Sequence, residues 1–466
     1  MSNNQAAPIE LGTESVGKLL KKYAVPGIIA MTASSLYNMV DSIFIGHIPG
    51  EGSLALSGLA VTFPLMNLSA ALGTLVGVGA STLVSVLLGQ RNYETANKVL
   101  ANEISLNCII GVIFAAVCLV FINPILMFFG ASANTLPYAR EYLQIILIGN
   151  VITHLYFGLN ALIRSSGNPR LAMGLTLFTV ISNTILDPIF IYVLGFGIRG
   201  AAIATVLCQA MALSYSLRYF AREETIPHLP KGIFALDWRI AKDSLAIGLG
   251  PFLMNAASCI VTLFINQQLL KFGGDLAIGA YGIANRINFM FIMVVMGFNQ
   301  GMQPIAGYNF GARKYTRVKK VFKITALWAS GICLLWFLSS ELFPSALVGI
   351  FTNDPKLIDI ADKGLRIMNP VVFLVGWQMV STNFFQSLGM VSKSIFLSLS
   401  RQLLFLVPLL YILPSFWGVQ GVFLSFPASD LLACVTTLVL IINLFRKFSK
   451  LQDGDEPTIL GSQIKQ

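Results

Sequence analysis

Apolar runs of about 20 residues recur from near the start of the chain to near its end, separated by short polar stretches. Such a run crosses a hydrocarbon core of about 30 Å as a helix. In lipid the backbone must satisfy its own hydrogen bonds, so the runs predict helices, and the alternation of barrel strands is absent. They place spans at 17–46, 54–87, 96–123, 136–164, 170–194, 198–221, 240–271, 276–308, 315–343, 358–388, 392–414 and 418–445. Several are longer than a bilayer needs, which predicts tilted or projecting helices. The first residues are polar and no short apolar core with a small-residue cleavage site follows, so no removable leader is expected.

The pattern repeats. "VPGIIAMTASSLYNMVDSIFIG" resembles "GPFLMNAASCIVTLFINQQLLK", which sets Pro26 opposite Pro251 and Asp41 opposite Asn266. "GASTLVSVLLGQRNYE" matches "GMQPIAGYNFGARKY", pairing Gly79 with Gly301 and Gly89 with Gly311. "GFGIRGAAIAT" matches "FWGVQGVFLSF". Each repeat holds six spans, so both lobes insert the same way up. The longest polar connector, near 221–239, falls at the midpoint and predicts lobes at 1–228 and 229–466. The expected fold is an all-α membrane protein, with twelve helices in two parallel six-helix lobes around a central cleft.

Composition supports the membrane reading. Only 11% of residues are charged and 55% are hydrophobic, too little charge to cover a soluble surface. The net charge of +10 does not point to nucleic acid, because the basic residues sort by side. One side carries most of them, including Lys18, Lys21, Lys22 and the 313–323 cluster. The other carries Arg140, Arg199, Lys271, Lys356, Lys363 and Arg366. The positive-inside rule then puts both ends in the cytoplasm and the chain in the inner (plasma) membrane. The 313–323 cluster could also attract anionic lipid. Six cysteines fall in apolar runs with no ligand or disulfide spacing and read as small buried hydrophobes. The three histidines form no ligand cluster.

Polar residues inside spans carry the candidate chemistry. A carboxylate at a helix centre costs about 2.5–3.5 kcal/mol on insertion scales. Asp41 and Asp187 lie deep, each with a polar residue one turn back on the same face, Tyr37 and Asn183. Thr205 lies at a similar depth in the sixth span. Such oxygens can bind Na⁺; two close carboxylates can instead share a proton; or the group can be a packing network. Asn160 lies near a helix end and sits roughly 10 Å lower at 1.5 Å per residue. The second lobe has no acid opposite Asp41. It offers Asn266, Gln267 and Arg286, which suit a wet cavity wall. Asp430 is either the partner of Arg286 or a packing residue. Glu103 reads as close to the end of the third span.

The motifs "YNMVDSIFIGH", "ALIRSSGNPR", "NTILDPIFIY" and "GIRGAAIAT" together resemble the multidrug and toxic compound extrusion (MATE) family, across about residues 15–445. The chain is similar to the damage-inducible and staphylococcal-type branches. The resemblance implies antiport of Na⁺ or H⁺ against small organic, often cationic, compounds, without an enzyme activity or a cofactor. It implies a cation site at Asp41, Asn183, Asp187 and Thr205, with Tyr37 and Asn160 beside it. The branch that uses acids in the seventh and tenth spans is not matched. The bilayer, the substrate and the coupling ion are the expected partners, with a monomer as the working unit. A flippase for lipid-linked saccharides is the alternative, although Arg286 is nearly alone as a cavity cation. A channel is a third reading, and no pore loop is visible.

Overall fold

The computed structural model describes residues 9–230, 236–351 and 355–455. Among these residues every regular element is helical. The middle of the midpoint connector, residues 231–235, lies outside them.

Among the described residues, ten helices are long and apolar enough to cross a membrane, and an eleventh span is a bent pair. The spans are Val16–Gly46, Leu54–Gly89, Tyr93–Val120, the pair Leu136–Ile148 with Asn150–Ser165, Pro169–Val193 and Ile198–Phe220. The second half supplies Trp238–Gly274, Leu276–Gly311, Tyr315–Leu342, Val391–Ile412 and Pro414–Phe448. Between Leu342 and Val391 stand two further helices, Pro355–Met368 and Val372–Ser387. They hold the place of the twelfth span, and the charges of the first piece keep it from passing as apolar.

The fourth and tenth spans therefore differ from the straight helices expected. The fourth bends by 56° at Gly149. A side chain at Gly149 would run into Val206 of the sixth span, so the bend and the missing Cβ go together. The tenth breaks at Asn369–Pro370, where proline cannot donate to the preceding turn.

Backbone geometry repeats where the sequence does. Arg91 and Arg313 have φ of 59° and 57°, a left-handed conformation uncommon outside glycine. Gly167 and Gly389 also have positive φ, and both precede a helix. Gly197 (φ 56°, ψ −137°) and Gly418 (φ 56°, ψ −133°) are nearly superposable. The fifth span carries a π-helical turn at Ile189–Val193 and the eleventh one at Ser400–Leu406. Each lies beside a proline, Pro188 and Pro408, whose missing N–H loosens the helical ladder.

The chain forms two compact units. One includes Ile29–Phe252, the other Glu14–Ile28 and Leu253 onward. The first and seventh spans each contribute residues to both units, since the borders fall within these helices. In the first unit the second span packs along the third and fourth, and the sixth along the fourth and fifth. Its apolar cores gather around Ile45, Leu59 and Ala201, around Leu65, Leu126 and Leu143, and around Val76, Leu106 and Ala241. The second unit has a core around Ile265, Tyr281, Trp336 and Phe423.

The third span shows how these helices sort their faces. Glu103, Asn107, Gly111 and Ala115 are buried at one-turn spacing, whereas Ile109, Val112, Ile113, Val117 and Val120 are exposed. An apolar surface outside a polar-lined interior is what lipid as solvent selects. Four cysteines are buried as expected, but Cys108 is only partly buried and Cys259 is exposed on the seventh helix.

Candidate cation site in the first unit

The first, fifth and sixth spans bring Tyr37, Asp41, Asn183, Asp187 and Thr205 together. The Tyr37 hydroxyl lies 2.9 Å from Thr205 Oγ1. Asn183 Nδ2 donates to the same Thr205 oxygen at 3.3 Å. This turns the Asn183 amide so that its carbonyl oxygen remains uncommitted. The Asp41 and Asp187 carboxyls are close enough to interact electrostatically. Asp187 directly precedes Pro188 and the π-helical turn, so its carboxyl stands where the fifth span loses its regular ladder.

Burial makes the group unusual. Asp41, Asn183 and Asp187 are 6%, 2% and 0% exposed. Asp41 Oδ1, Asn183 Oδ1 and both Asp187 oxygens are buried without a protein donor. An unpaired buried acceptor costs about 1–3 kcal/mol, and more when charged. Four such oxygens on three adjacent side chains form a hard donor set suited to Na⁺ or to protons, and unsuited to soft metals. No cluster of three or more His, Cys, Asp or Glu with metal-ligand geometry occurs among the described residues.

A cavity of about 250 Å³ opens beside the group. Tyr37, Asp41, Asn183 and Thr205 line it with Tyr142, Tyr156, Phe63 and Met66. Its polar floor includes Ser69, Asn150, Thr153, Thr179 and Gln209. Thr153 donates to Gln209, and the Tyr156 hydroxyl meets Thr179 at 3.1 Å. A liquid water occupies about 30 Å³ and drug-sized pockets begin near about 300 Å³. This cavity therefore suits an ion with its water, or one aromatic portion of a larger molecule.

Asn160 stands apart. Its Nδ2 donates to the Ala172 carbonyl at 2.9 Å, and the residue does not line the cavity. Asn266, Gln267 and Arg286 belong to the second unit. Asn266 is partly buried, while Gln267 and Arg286 are exposed. Asp430 is not the partner of Arg286. Arg401, in the π-helical turn of the eleventh span, donates from Nε to Asp430 Oδ1 at 2.7 Å. Arg401 lies near the middle of that span, Val391–Ile412, and a charge so far from either end was the available signal.

The floor of the cavity escapes a reading by spacing. Ser69, Asn150 and Thr153 are ordinary polar residues in apolar runs, and only the bend at Gly149 carries the latter two toward the second and sixth spans. Glu103 and His154, which spacing places as an end-of-helix acid and a scattered histidine, are 1% and 0% exposed. A charged residue among apolar neighbours was the available signal for Glu103.

The MatE family profile matches residues 26–189 and 246–412. Multidrug export protein MepA of Staphylococcus haemolyticus (strain JCSC1435) is 27% identical over 431 residues, covering 92% of this chain and 94% of that protein. MepA of Staphylococcus aureus (strain MSSA476) is 27% identical with the same coverage. Among solved structures, the MATE multidrug transporter DinF-BH is 35% identical with a TM-score of 0.86, covering 95% of this chain and 98% of that one. An outward-facing multidrug resistance MATE family transporter of the MOP superfamily is 25% identical with a TM-score of 0.88, covering 95% and 98%. These relatives share the two-lobed, twelve-helix fold, which the broken tenth span completes here. The chain belongs to the MatE family and is a multi-pass membrane transporter, not an enzyme.

Proposed function

We propose that this transporter is an antiporter that exports small organic, often cationic, compounds in exchange for Na⁺ or H⁺. The coupling ion binds among Asp41, Asn183, Asp187 and Thr205, with Tyr37 fixing Thr205. The observation that carries this reading is the set of four buried acceptor oxygens without a protein donor. A cation or a shared proton offsets their desolvation, and its departure leaves two carboxylates repelling one another. The first span carries Asp41 in its second half and Pro26 in its first, and the border between the units falls at Ile28–Ile29. Ion occupancy thereby alters a helix that both units share, and the lobes near 1–228 and 229–466 alternate in access.

The names of the relatives support the substrate class: MepA is a multidrug export protein, and DinF-BH is a multidrug transporter. The aromatic lining of the cavity, Tyr37, Phe63, Tyr142 and Tyr156, suits flat cations. The distribution of Lys and Arg supports insertion in the plasma membrane with both ends in the cytoplasm. A monomer is the working unit in this reading.

The test is uptake of ethidium, a flat organic cation, into inverted proteoliposomes under separately imposed Na⁺ and H⁺ gradients. One gradient drives transport in the wild type, and Asp41→Asn abolishes it while the protein still inserts. Wild-type transport by Asp41→Asn removes the site from the mechanism.

A further inference from the structure

A further buried carboxyl lies outside the lining of the cavity. Glu103 is 1% exposed, and its Oε1 accepts from Asn107 Nδ2 at 2.6 Å. Its Oε2 has no partner. The carboxyl sits in a notch made by glycine. A Cβ on Gly158 of the fourth span would overlap Glu103 Oε1 and press on Asn107 Nδ2. A Cβ on Gly77 of the second span would in turn overlap Gly158. Three helices thus meet at the Glu103 carboxyl, two of them through glycine.

From this notch a polar line leads to the cavity. His154, one turn from Gly158, fills the space between Gly73 and Gly111. Its Nδ1 is buried without a partner, and its Nε2 lies 3.1 Å from Ser69 Oγ. Ser69 also donates to Asn150, whose Nδ2 donates to the Gly111 carbonyl at 3.0 Å. Ser69 and Asn150 both line the cavity that holds Asp41. Asn107 Oδ1 and His154 Nδ1 are both buried without a partner. Gly158, which abuts Glu103, lies one helical turn from His154 on the fourth span, about 6 Å at 1.5 Å per residue, a spacing that a single water can bridge.

We propose that Glu103 is a second proton-binding residue of this transporter, exchanging its proton with the Asp41–Asp187 pair through His154 and Ser69. Asn107 is a positioning residue that holds the carboxyl. A proton leaving the Glu103 carboxyl passes by the bridging water to His154 Nδ1. His154 gives its Nε2 proton to Ser69 Oγ, and Ser69 gives its own hydroxyl proton to a water in the cavity, which carries it to the Asp41–Asp187 pair. Each step breaks one O–H or N–H bond and forms another, and no electrons are transferred. The proposal rests on the coupling reading above and restricts it to a proton.

The surroundings of Glu103 leave it little competition. Cys108 on its own span interacts with it electrostatically. The seventh helix presents Ala241 to Leu106, with Lys242 and Asp243 next in sequence. At the Tyr93 end of the third span, Glu94 pairs with Lys98 at 2.8 Å. There the His228 backbone N–H donates to Asn97 Oδ1 at 2.9 Å, which places a titratable ring at that end of the helix.

The experiment measures ethidium transport in proteoliposomes under a pH gradient, ethidium exchange without any gradient, and ethidium binding. Glu103→Gln is expected to slow gradient-driven transport by about tenfold or more. Its binding and gradient-free exchange stay at wild-type values. Asp41→Asn runs beside it. Wild-type transport by Glu103→Gln with a dead Asp41→Asn overturns the Glu103 role alone. Wild-type transport by both overturns the coupling reading as well. Drive by Na⁺ only, with no response to pH gradient, overturns the proposal and leaves the Asp41 site standing. If Glu103→Gln fails to fold, Glu103→Asp is used, and an unchanged pH profile of transport overturns the proposal.

Discussion

The Tyr37 hydroxyl and Thr205 Oγ1 stand 2.9 Å apart, joining the first span to the sixth across 168 positions. Thr205 also takes the Asn183 amide, so one hydroxyl ties together three helices. Thr205→Val removes it and leaves both partners unpaired. The expected loss is about 1–3 kcal/mol per stranded group, read as a lower unfolding midpoint in detergent. Thr205→Ser keeps the hydroxyl and is expected to stay near wild type. Equal midpoints for valine and serine would contradict the tie.

Asp187→Asn tests the second carboxylate separately from the first. Asparagine preserves shape but removes a charge next to Asp41. Ion-driven counterflow in proteoliposomes is expected to fall by about tenfold or more, the equivalent of about 1.4 kcal/mol of lost coupling. Unchanged counterflow would show that Asp41 acts alone.

Arg401→Ala leaves Asp430 charged, buried and unpaired. Breaking such a pair costs about 3–5 kcal/mol, and the variant is expected to lose most of its folded fraction at moderate temperature. Arg401→Met with Asp430→Leu removes both charges and is expected to recover much of the loss. A double variant as unstable as the single one would mean that the pair does more than neutralise itself.

Gly197 and Gly418 hold φ of 56° with strongly negative ψ, where a side chain is strained. Gly197→Ala and Gly418→Ala are each expected to cost about 1–3 kcal/mol. Gly174→Ala, in an open position inside the fifth span, is expected to gain about 1 kcal/mol from helix propensity. Thermal midpoints of the three variants decide it. A loss at Gly174 comparable to that at Gly197 would assign the effect to packing instead of backbone conformation.

Basic charge near the start of the chain gives a milder effect. Glu14 is held below the usual carboxylate range by its hydrogen bond to Lys18, at 2.7 Å, outside the first span. A carboxyl with a lowered folded-state value contributes stability above its unfolded value and loses it as pH falls through the folded one. Lys18 is exposed and the pair is screened, so Lys18→Ala is expected to change the midpoint within experimental error at neutral pH.

Residue order alone was enough to count the spans, to find the repeat, and to set Asp41, Asn183, Asp187 and Thr205 at similar positions along their helices. Hydropathy is a local property, and position along a straight helix follows from residue count at a fixed rise. Counting does not reach the direction each side chain faces or its neighbour on another helix, and these came from the folded packing. That is why Asp430 belongs to Arg401 and not to Arg286, why Asn160 turns to Ala172, and why Glu103 and His154 are both buried. The close approach of Val206, on a later helix, to Gly149 at the bend is likewise a non-local packing relationship with no periodic trace in the chain.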